Sequence, residues 1–382
     1  MIRRRRQPLV ALLFAVAVLG ASCQVAPPHG LEVRVVGNEL RGPGSARLVI
    51  GGSAQYSWPF LDVCSCYMTT AMGDYVHRNA IFARYAELHI NATRVFLDAR
   101  TYAANPFHIA GGRSGELHWI ADLVSSAAQH GVYTLLTWND SSDEGASWPD
   151  RYRAAFDMFT DVVHTLGGGN PWVIYEPWNE PHDVTWSQWL GPVKAAISAF
   201  RGLGYRGPLF IDTIDWSWSF NPAVARSVMQ ADDTANGQAQ IVFANHRYAN
   251  GHSCFTCGKP VITGRSDTDA DVWETEVGQY AAAFPIAGTE YGYYDYGAND
   301  PGPDPGWNAE LLAYLADTKL EQGFNGYWDF VWDWNDANSM TTYPTDYVTL
   351  SQHGASSSAL YYSVYQQRAG VPSSTPSGTP AS

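Results

Sequence analysis

The clearest structural pattern in the sequence runs from Val132-Tyr-Thr-Leu-Leu-Thr-Trp138 to Trp172-Val-Ile-Tyr175. Both ends of it are short apolar runs, which are typical of strands buried on both faces. Residues 150–166 between them repeat their apolar side chains at helical spacing, and Gly167-Gly168-Gly169 then breaks the helix. Because a strand, a helix and a second strand follow in this order, the stretch predicts a βαβ unit with parallel strands.

The same alternation of short apolar runs and helical patterns extends along most of the chain. Further strands are predicted at 46–50, 92–97, 208–213, 240–245, 284–289 and 324–330, and further helices near 77–88, 116–130, 185–203, 222–230, 270–282, 307–321 and 357–367. About eight βα units predict an α/β protein, and their near-continuous apolar strands favour a closed (β/α)8 TIM barrel over residues 46–369. The competing arrangement is an open doubly wound sheet, but no glycine-rich dinucleotide fingerprint follows the first strand.

The segments that flank the predicted barrel have patterns of their own. Residues 1–22 are typical of an export signal, with a basic start at Arg3–Arg6 and an apolar stretch too short to cross a bilayer. Residues 23–45 alternate polar and apolar side chains around a Gly37-Asn38 turn, which predicts a short β-hairpin. Residues 370–382 are rich in Pro, Ser and Thr and predict a disordered tail.

The cysteines fit an exported protein. Cys23 directly follows a Gly-Ala-Ser run that resembles a bacterial lipobox. We therefore expect the mature protein to be either secreted or held by a lipid anchor on the outer face of a bacterial cell. Cys64, Cys66, Cys254 and Cys257 are expected to form disulfides in that compartment. Their spacing leaves the pairing open, and a zinc site is the alternative.

Composition restricts the kinds of partner that the protein can bind. The formal net charge is -14, which disfavours nucleic acid and anionic membrane surfaces. Aromatic residues make up 14% of the chain and include 15 Trp. Because aromatic rings stack well on the apolar faces of sugars, we expect the partner to be a polysaccharide or oligosaccharide. We also expect the protein to be a monomer.

The strongest local signal for chemistry is Val173-Ile-Tyr-Glu-Pro-Trp-Asn-Glu-Pro-His182. In a barrel, polar residues beyond the C-terminal end of a strand point into the mouth of the active site. Glu180 would be partly desolvated beside Trp178, and desolvation raises a carboxyl pKa toward the range that suits a general acid. The alternative is that Glu180 only caps the following helix.

A second carboxylate follows another apolar strand, in Phe284-Pro-Ile-Ala-Gly-Thr-Glu290. Counted along the chain, Glu180 ends the fourth barrel strand and Glu290 the seventh, and those ends face each other across a barrel mouth. Two carboxyl groups about 5–5.5 Å apart support glycoside hydrolysis with retention, through a covalent glycosyl-enzyme. We therefore predict Glu180 as acid/base and Glu290 as nucleophile, with no metal and no cofactor.

These motifs resemble glycoside hydrolase family 5, the cellulase-type family, or a sister family in the same clan of (β/α)8 retaining glycosidases. The likeness extends from the N-terminal hairpin to Trp328. It implies that Arg94, in Thr-Arg-Val, hydrogen-bonds the nucleophile and keeps it ionised. It also implies that Tyr248, in His246-Arg-Tyr248, hydrogen-bonds the nucleophile, and that His246 lines the same subsite.

The resemblance extends to the sugar subsite, with two departures. It implies that Asn179 holds the 2-hydroxyl of the reacting sugar and that Trp328 forms the floor of this subsite. Asn139 stands after the third strand where the family has His, and it remains a substrate-binding candidate. Pro177 occupies a position in the catalytic motif where the family rarely has Pro. Both departures leave the subfamily and the substrate open, but neither touches the two glutamates.

Further aromatic residues fall in predicted loops or, for Trp138, at the end of a predicted strand. They are Trp58, Trp138, Trp216, Trp218, Trp332 and Trp334. About half of such residues are expected to pack within the protein, and Trp138 and Trp216 are the candidates for stacking on sugars. Several stacking positions would favour an extended glycan and therefore endo action.

The sequence thus predicts an exported retaining glycoside hydrolase that cleaves β-linked glycans, either β-glucan or β-mannan, by double displacement. Within the same class, the alternatives are an enzyme that cleaves β-1,3-glucan or a glycolipid and an enzyme that transglycosylates. A non-catalytic glycan-binding barrel is the alternative of another class, but both glutamates are present. A metal-dependent barrel hydrolase would require a His-x-His motif near the first strand, and residues 50–58 contain no such motif.

Overall fold

Eight parallel strands close into a barrel, and a short hairpin precedes them. The computed structural model describes residues 33–55, 75–97, 99, 102, 112–138, 148–248, 268–292 and 305–331. The hairpin strands are β1 (Arg34–Val36) and β2 (Glu39–Arg41), and the barrel strands are β3 (Ile50–Gln55), β4 (Ala92–Leu97), β5 (Tyr133–Trp138), β6 (Val173–Glu176), β7 (Leu209–Asp212), β8 (Ile241–Tyr248), β9 (Ile286–Gly292) and β10 (Gly326–Val331). Neighbouring strands pair in chain order, and β10 pairs with β3 to close the barrel. The predicted (β/α)8 fold with its N-terminal hairpin is confirmed.

Helices follow the strands and cover the outside of the barrel. They are α1 (Tyr75–Glu87), α2 (Arg113–Gln129), α3 (Trp148–Leu166), α4 (Trp186–Gly202), α5 (Pro222–Asn236), α6 (Asp269–Glu276) and α7 (Pro305–Tyr314), which continues through a π-helical segment at Leu315–Lys319. None of these described helices is long and apolar enough to span a membrane. The predicted export signal, Cys23, the other four cysteines, the helix near 357–367 and the tail lie outside the described residues.

The barrel strands are buried on both faces, as their apolar runs predict. Every residue of β4, β5 and β6 is buried. Since side chains alternate along a strand, one set fills the barrel interior and the other packs under the helices. The larger apolar cluster lies between strands and helices, and a smaller one lies inside the barrel next to the hairpin.

The first barrel strand begins at Ile50, where the sequence prediction ended it. Gly51 and Gly52 are poor strand formers on their own, but both pair with neighbouring strands. Closure at the β10 edge also needs a glycine. Gly326 has a φ of 133°, and a Cβ atom there would lie 1.8 Å from the carbonyl oxygen of Ile50. Contacts that only the closed barrel provides therefore outweigh the low strand propensity of these glycines.

The hairpin covers the N-terminal end of the barrel, opposite the strand ends that carry the polar motifs. Val35 donates its backbone N–H to Oε1 of Gln240 at 2.7 Å, and Leu40 donates to Oδ1 of Asn325 at 2.6 Å. The amide of Asn325 in turn donates to the carbonyl oxygen of Asn38 at 2.9 Å. Valine and leucine side chains of the hairpin join the inner apolar cluster. Polar side chains thus satisfy a hairpin that would otherwise leave buried backbone groups unpaired.

We expect Asn325→Ala to destabilise the fold by about 1–3 kcal/mol, because it leaves the buried N–H of Leu40 without an acceptor. Urea unfolding followed by circular dichroism measures the change. The matched control is Asn236→Ala, since Asn236 is only half-buried at the end of α5 and its amide donates to the nearby carbonyl oxygen of Gln238. Equal stabilities of the two variants would contradict a stabilising role of the hairpin contact.

Candidate active site

Five charged or titratable side chains are buried together at the C-terminal ends of the barrel strands. They are Arg94 on β4, Glu176 on β6, Asp212 on β7, His246 on β8 and Glu290 on β9. Buried charges are costly unless they are paired and hydrogen-bonded. The spacing of parallel strands brings these side chains into contact, although they are far apart in sequence.

Arg94 is the cation at the centre of this cluster. Its Nε donates to Oε2 of Glu176 at 2.6 Å, and its Nη1 donates to Oε1 of Glu290. Its Nη2 donates to Oδ1 of Asn179 at 2.7 Å. Burial alone disfavours the charged guanidinium, but the surrounding carboxylates, Glu176 above all, hold the pKa of Arg94 above its ordinary value. Arg94 therefore stays charged and links both carboxylates to the loop beyond β6.

Glu180 lies in this loop rather than on the strand. β6 ends at Glu176, because Pro177 has no N–H to continue the strand ladder. Glu180 adopts a φ of 48°, which is uncommon for a residue with a side chain. Its backbone N–H donates to Oδ2 of Asp212 at 2.7 Å. The preceding residue, Asn179, donates its N–H to the carbonyl oxygen of Trp138 at 2.7 Å. These contacts fix an unusual backbone bend at the motif.

The side chain of Glu180 is mostly withdrawn from water, at 27% exposed. Its Oε1 lies 2.8 Å from Nδ1 of His246. Burial raises the pKa of Glu180 to about 7, against the opposing charge of Arg94 and the effect of His182. A substantial fraction of the carboxyl group is therefore protonated at neutral pH.

Glu290 has a different environment. Arg94 donates to one of its oxygens, and the hydroxyl of Tyr248 donates to Oε2 at 2.6 Å. Burial raises the pKa of Glu290 from its ordinary value, with a contribution from Glu180, while His246, Arg94 and the Tyr248 hydroxyl oppose the rise. Donors on both oxygens favour the ionised form of this carboxylate.

His246 lies between the two glutamates. The pairing of β8 with β9 shifts between Asn245 and His246, and the shift places His246 opposite Glu290. Its Nδ1 is 3.5 Å from Oε2 of Glu290, and its Nε2 is 2.9 Å from the hydroxyl of Thr289. Burial lowers the pKa of His246 to about 4, so the ring is neutral at pH 7 and can donate from only one nitrogen.

Two carboxyl groups of this cluster, Glu176 and Asp212, were not predicted as site residues. Burial opposes the ionisation of Glu176, but Arg94 and the hydrogen bonds from Asp212 and Arg94 hold its pKa below the ordinary value. Burial and the adjacent Glu176 hold the pKa of Asp212 well above its ordinary value. Each of the two ends an apolar barrel strand, and this signal, which drew attention to Glu290, could also have found them.

The predicted aromatic residues have different surroundings. Trp138 is 2% exposed and packs 6.2 Å from Trp178, ring centre to ring centre. Trp216 is 49% exposed and stacks on His182, with ring centres 4.7 Å apart and planes 4° from parallel. The side chain of Trp328 and all of Asn139 lie outside the described residues, as do Trp58, Trp332 and Trp334.

Two sets of oxygen and nitrogen atoms in the cluster lie close enough together to surround a small ion. Glu176, Asp212 and His246 form one set, Glu180, His246 and Glu290 form the other, and the chosen atoms of each lie within 4.8 Å of one another. The guanidinium of Arg94 already contacts a carboxylate of each set. Because this fixed cation neutralises the carboxylates, we assign a metal to neither set.

The chain matches known proteins over most of its length. The family model described as Cellulase (glycosyl hydrolase family 5) matches residues 56–338, well over half of the chain. "Endoglucanase Z" of Dickeya dadantii (strain 3937) is 28% identical over 131 residues, which are 34% of this chain and 28% of that protein. "Mannan endo-1,4-beta-mannosidase" of Cellvibrio japonicus (strain Ueda107) is 24% identical over 252 residues, which are 64% of this chain and 51% of that protein.

The fold also matches solved structures. A β-glucanase of Saccharophagus degradans in complex with cellotetraose has a TM-score of 0.62 at 16% identity, over 87% of this chain and 93% of that one. At such low identity the match describes the barrel fold alone. Among the curated relatives, the matched part spans about half of the mannosidase and about a quarter of the endoglucanase.

Proposed function

Since this chain belongs to glycosyl hydrolase family 5, the cellulase family, we propose that it hydrolyses β-linked glycans with retention of configuration. One observation carries the proposal. A carboxyl oxygen of Glu180 and one of Glu290 lie within 4.8 Å of each other at the C-terminal end of the barrel. A short separation of this kind suits a mechanism in which one carboxyl group attacks the sugar and the other transfers protons.

Glu290 is the nucleophile in this proposal. Arg94 and Tyr248 donate to its two oxygens and favour the carboxylate form that attack requires. Attack of a Glu290 oxygen on the anomeric carbon forms the glycosyl-enzyme ester and breaks the bond to the leaving oxygen. The bonds from Arg94 and Tyr248 weaken as the charge passes out of the carboxylate, and they recover when the ester is hydrolysed.

Glu180 is the acid and then the base. Its pKa of about 7 lets it carry a proton at neutral pH, which it gives to the leaving oxygen in the first step. In the second step the carboxylate of Glu180 takes a proton from water, and that water attacks the anomeric carbon of the glycosyl-enzyme. Neutral His246, 2.8 Å from Glu180, orients the carboxyl group without adding a fixed charge beside it.

Asn179 and Trp216 are the described side chains that we assign to substrate. Arg94 donates to Oδ1 of Asn179, which makes the nitrogen of the amide the end that would donate to a sugar hydroxyl. Trp216 projects an exposed ring beside the loop of Glu180, and its backbone N–H donates to the carbonyl oxygen of Pro181 at 3.3 Å. An exposed ring at this position would stack on a sugar of an extended β-glucan or β-mannan, which implies endo action.

Product analysis tests the proposed activity. Purified protein would be incubated with a soluble cellulose derivative, mannan, β-1,3-glucan, mixed-linkage glucan and xylan, and the products separated by chromatography. We expect mixed oligosaccharides from the glucan or the mannan, and none from Glu290→Gln protein prepared in the same way. A folded wild-type protein that releases nothing from any of them would support the glycan-binding alternative.

We expect Trp216→Ala to raise KM by about 3- to 10-fold with little change in kcat, because stacking contributes to binding in ground state and transition state alike. Initial rates over a range of substrate concentrations measure both constants. Val36→Ala is the matched control, since Val36 is also an exposed large apolar residue but lies on the hairpin at the other end of the barrel. An unchanged KM in the Trp216 variant would remove this residue from the substrate site.

We propose that the protein acts outside the bacterial cell. The basic and apolar pattern of residues 1–22 supports export, and the run before Cys23 supports a lipid anchor as one form of it. Mass spectrometry of the N-terminal peptide of protein recovered from the cell envelope would distinguish cleavage with lipid attachment from cleavage alone. An intact N-terminus in the cytoplasm would contradict export.

A further inference from the structure

Two buried carboxyl oxygens in the cluster have no hydrogen-bonding partner among the described residues if both groups are ionised. They are Oδ1 of Asp212 and Oε1 of Glu176. A buried polar atom without a partner is costly and needs an explanation. The two carboxyl groups are close, since an oxygen of each lies within 4.8 Å of the other and of a nitrogen of His246.

The charges of the cluster indicate that one of its carboxyl groups retains a proton. Four carboxyl groups, those of Glu176, Glu180, Asp212 and Glu290, interact with the guanidinium of Arg94, which is the cation of this cluster among the described residues. His246 is neutral and adds no charge. Arg94 contacts Glu176 and Glu290 directly, whereas its Nη2 is 4.0 Å from Oδ2 of Asp212. Asp212 is therefore the buried strand-end carboxyl group that the cation compensates least.

We propose that Asp212 is a positioning residue that is held protonated and donates its proton to Glu176, so that the pair connects the acid/base to the cation behind the nucleophile. Oδ2 of Asp212 accepts the backbone N–H of Glu180 and fixes the bend at this residue. The proton on Asp212 joins it to Glu176, Glu176 accepts from Arg94, and Arg94 donates to Glu290. The inference rests on the proposed function, because it gives the pair a role in spacing the two reacting carboxyl groups.

The groups that face Asp212 agree with this assignment. Glu176 faces it from β6 and Arg94 from β4, while Nε2 of His246 on β8 is 3.6 Å from Oδ2. Arg94 and the backbone N–H of Glu180 favour the ionised form of Asp212, but burial and the charge of Glu176 outweigh them. Glu176 repels a second negative charge and is the acceptor that a protonated Asp212 needs.

Asp212→Asn tests the shared proton, because an asparagine has the shape and the donor of the protonated acid. Its amide would donate to Glu176, and its oxygen would accept from the N–H of Glu180. We expect kcat within about threefold of wild type, since both hydrogen bonds are kept. Asp212→Ala loses both, and we expect kcat to fall by about 100-fold with little change in KM, because the reacting groups are misplaced.

Melting curves at several pH values provide a readout that does not depend on activity. An unfolded aspartic acid ionises near pH 4, whereas folded Asp212 keeps its proton, so wild-type protein must take up a proton to fold. Above pH 4, each further pH unit therefore lowers the wild-type folding constant by about tenfold relative to Asp212→Asn, until the folded group also ionises. We expect the melting temperature of Asp212→Asn to rise relative to wild type as pH increases.

The matched control is Asp232→Asn, a buried aspartate that pairs with Arg201 away from the site. We expect Asp232→Asn to lower stability, but its melting temperature relative to wild type should not rise with pH. The pH profile of kcat should stay unchanged. The inference is overturned if Asp212→Asn loses as much kcat as Asp212→Ala, or if its melting temperature relative to wild type does not rise with pH. If wild-type protein cleaves no glycan, the proposed function fails, but the melting curves still decide the protonation of Asp212.

Discussion

Glu290→Gln is expected to lower kcat by about 10⁴-fold or more, because an amide cannot attack the anomeric carbon and no other described group takes its place. The substitution keeps the size of the side chain, and Tyr248 can still donate to its oxygen. KM should change much less than kcat, since the loss lies in the transition state. Steady-state rates on the best glycan from product analysis measure both constants.

Covalent labelling separates loss of the nucleophile from loss of the fold. A 2-fluoro glycoside with a good leaving group should trap the glycosyl-enzyme of the wild type, and peptide mass spectrometry should place the sugar on Glu290. The Gln variant should stay unlabelled although its circular dichroism spectrum remains that of the folded wild type. Glu321→Gln is the control, because Glu321 is exposed and lies outside the site. A label that persists in the Glu290 variant would move the nucleophile to another residue.

Glu180→Ala is expected to lower kcat by about 10²- to 10⁴-fold on natural glycans, whose leaving oxygen needs a proton. On an aryl glycoside with a good leaving group the first step should survive. Azide should then restore turnover, because the small anion can enter the space left by the carboxyl group and attack the glycosyl-enzyme. The product would be a glycosyl azide of retained configuration, identified by mass spectrometry and NMR.

The pH profile provides a second test of Glu180. Activity requires the protonated form of this group, whose pKa is about 7, so wild-type activity should fall as pH rises through this value. The alanine variant on an aryl glycoside should lose that basic limb. Glu180→Gln is the control, because the amide fills the space and azide should rescue it poorly. An alanine variant that keeps the basic limb and is not rescued would assign the acid/base role to another group.

The order and type of the main elements could be predicted from the sequence because they depend on local periodicity. The apolar run Val132–Trp138 and the helical spacing of residues 150–166 are patterns of neighbouring residues, and they match the strand and the helix of the structure. The count of βα units then indicated a barrel. The first strand was misplaced because Gly51 and Gly52 weaken a local strand signal, and only pairing with both neighbours overrides it.

The positions of the two glutamates relative to the strands could also be predicted from the sequence, because position along a parallel strand fixes which end of the barrel a residue reaches. The environment of each group could not be predicted, because it depends on the folded barrel. The pairing of Glu176 with Asp212, the neutral state of His246, the burial of Trp138 and the exposure of Trp216 all depend on which strand ends meet. Electrostatic energy depends on distances and burial in space, and residues far apart in sequence set both.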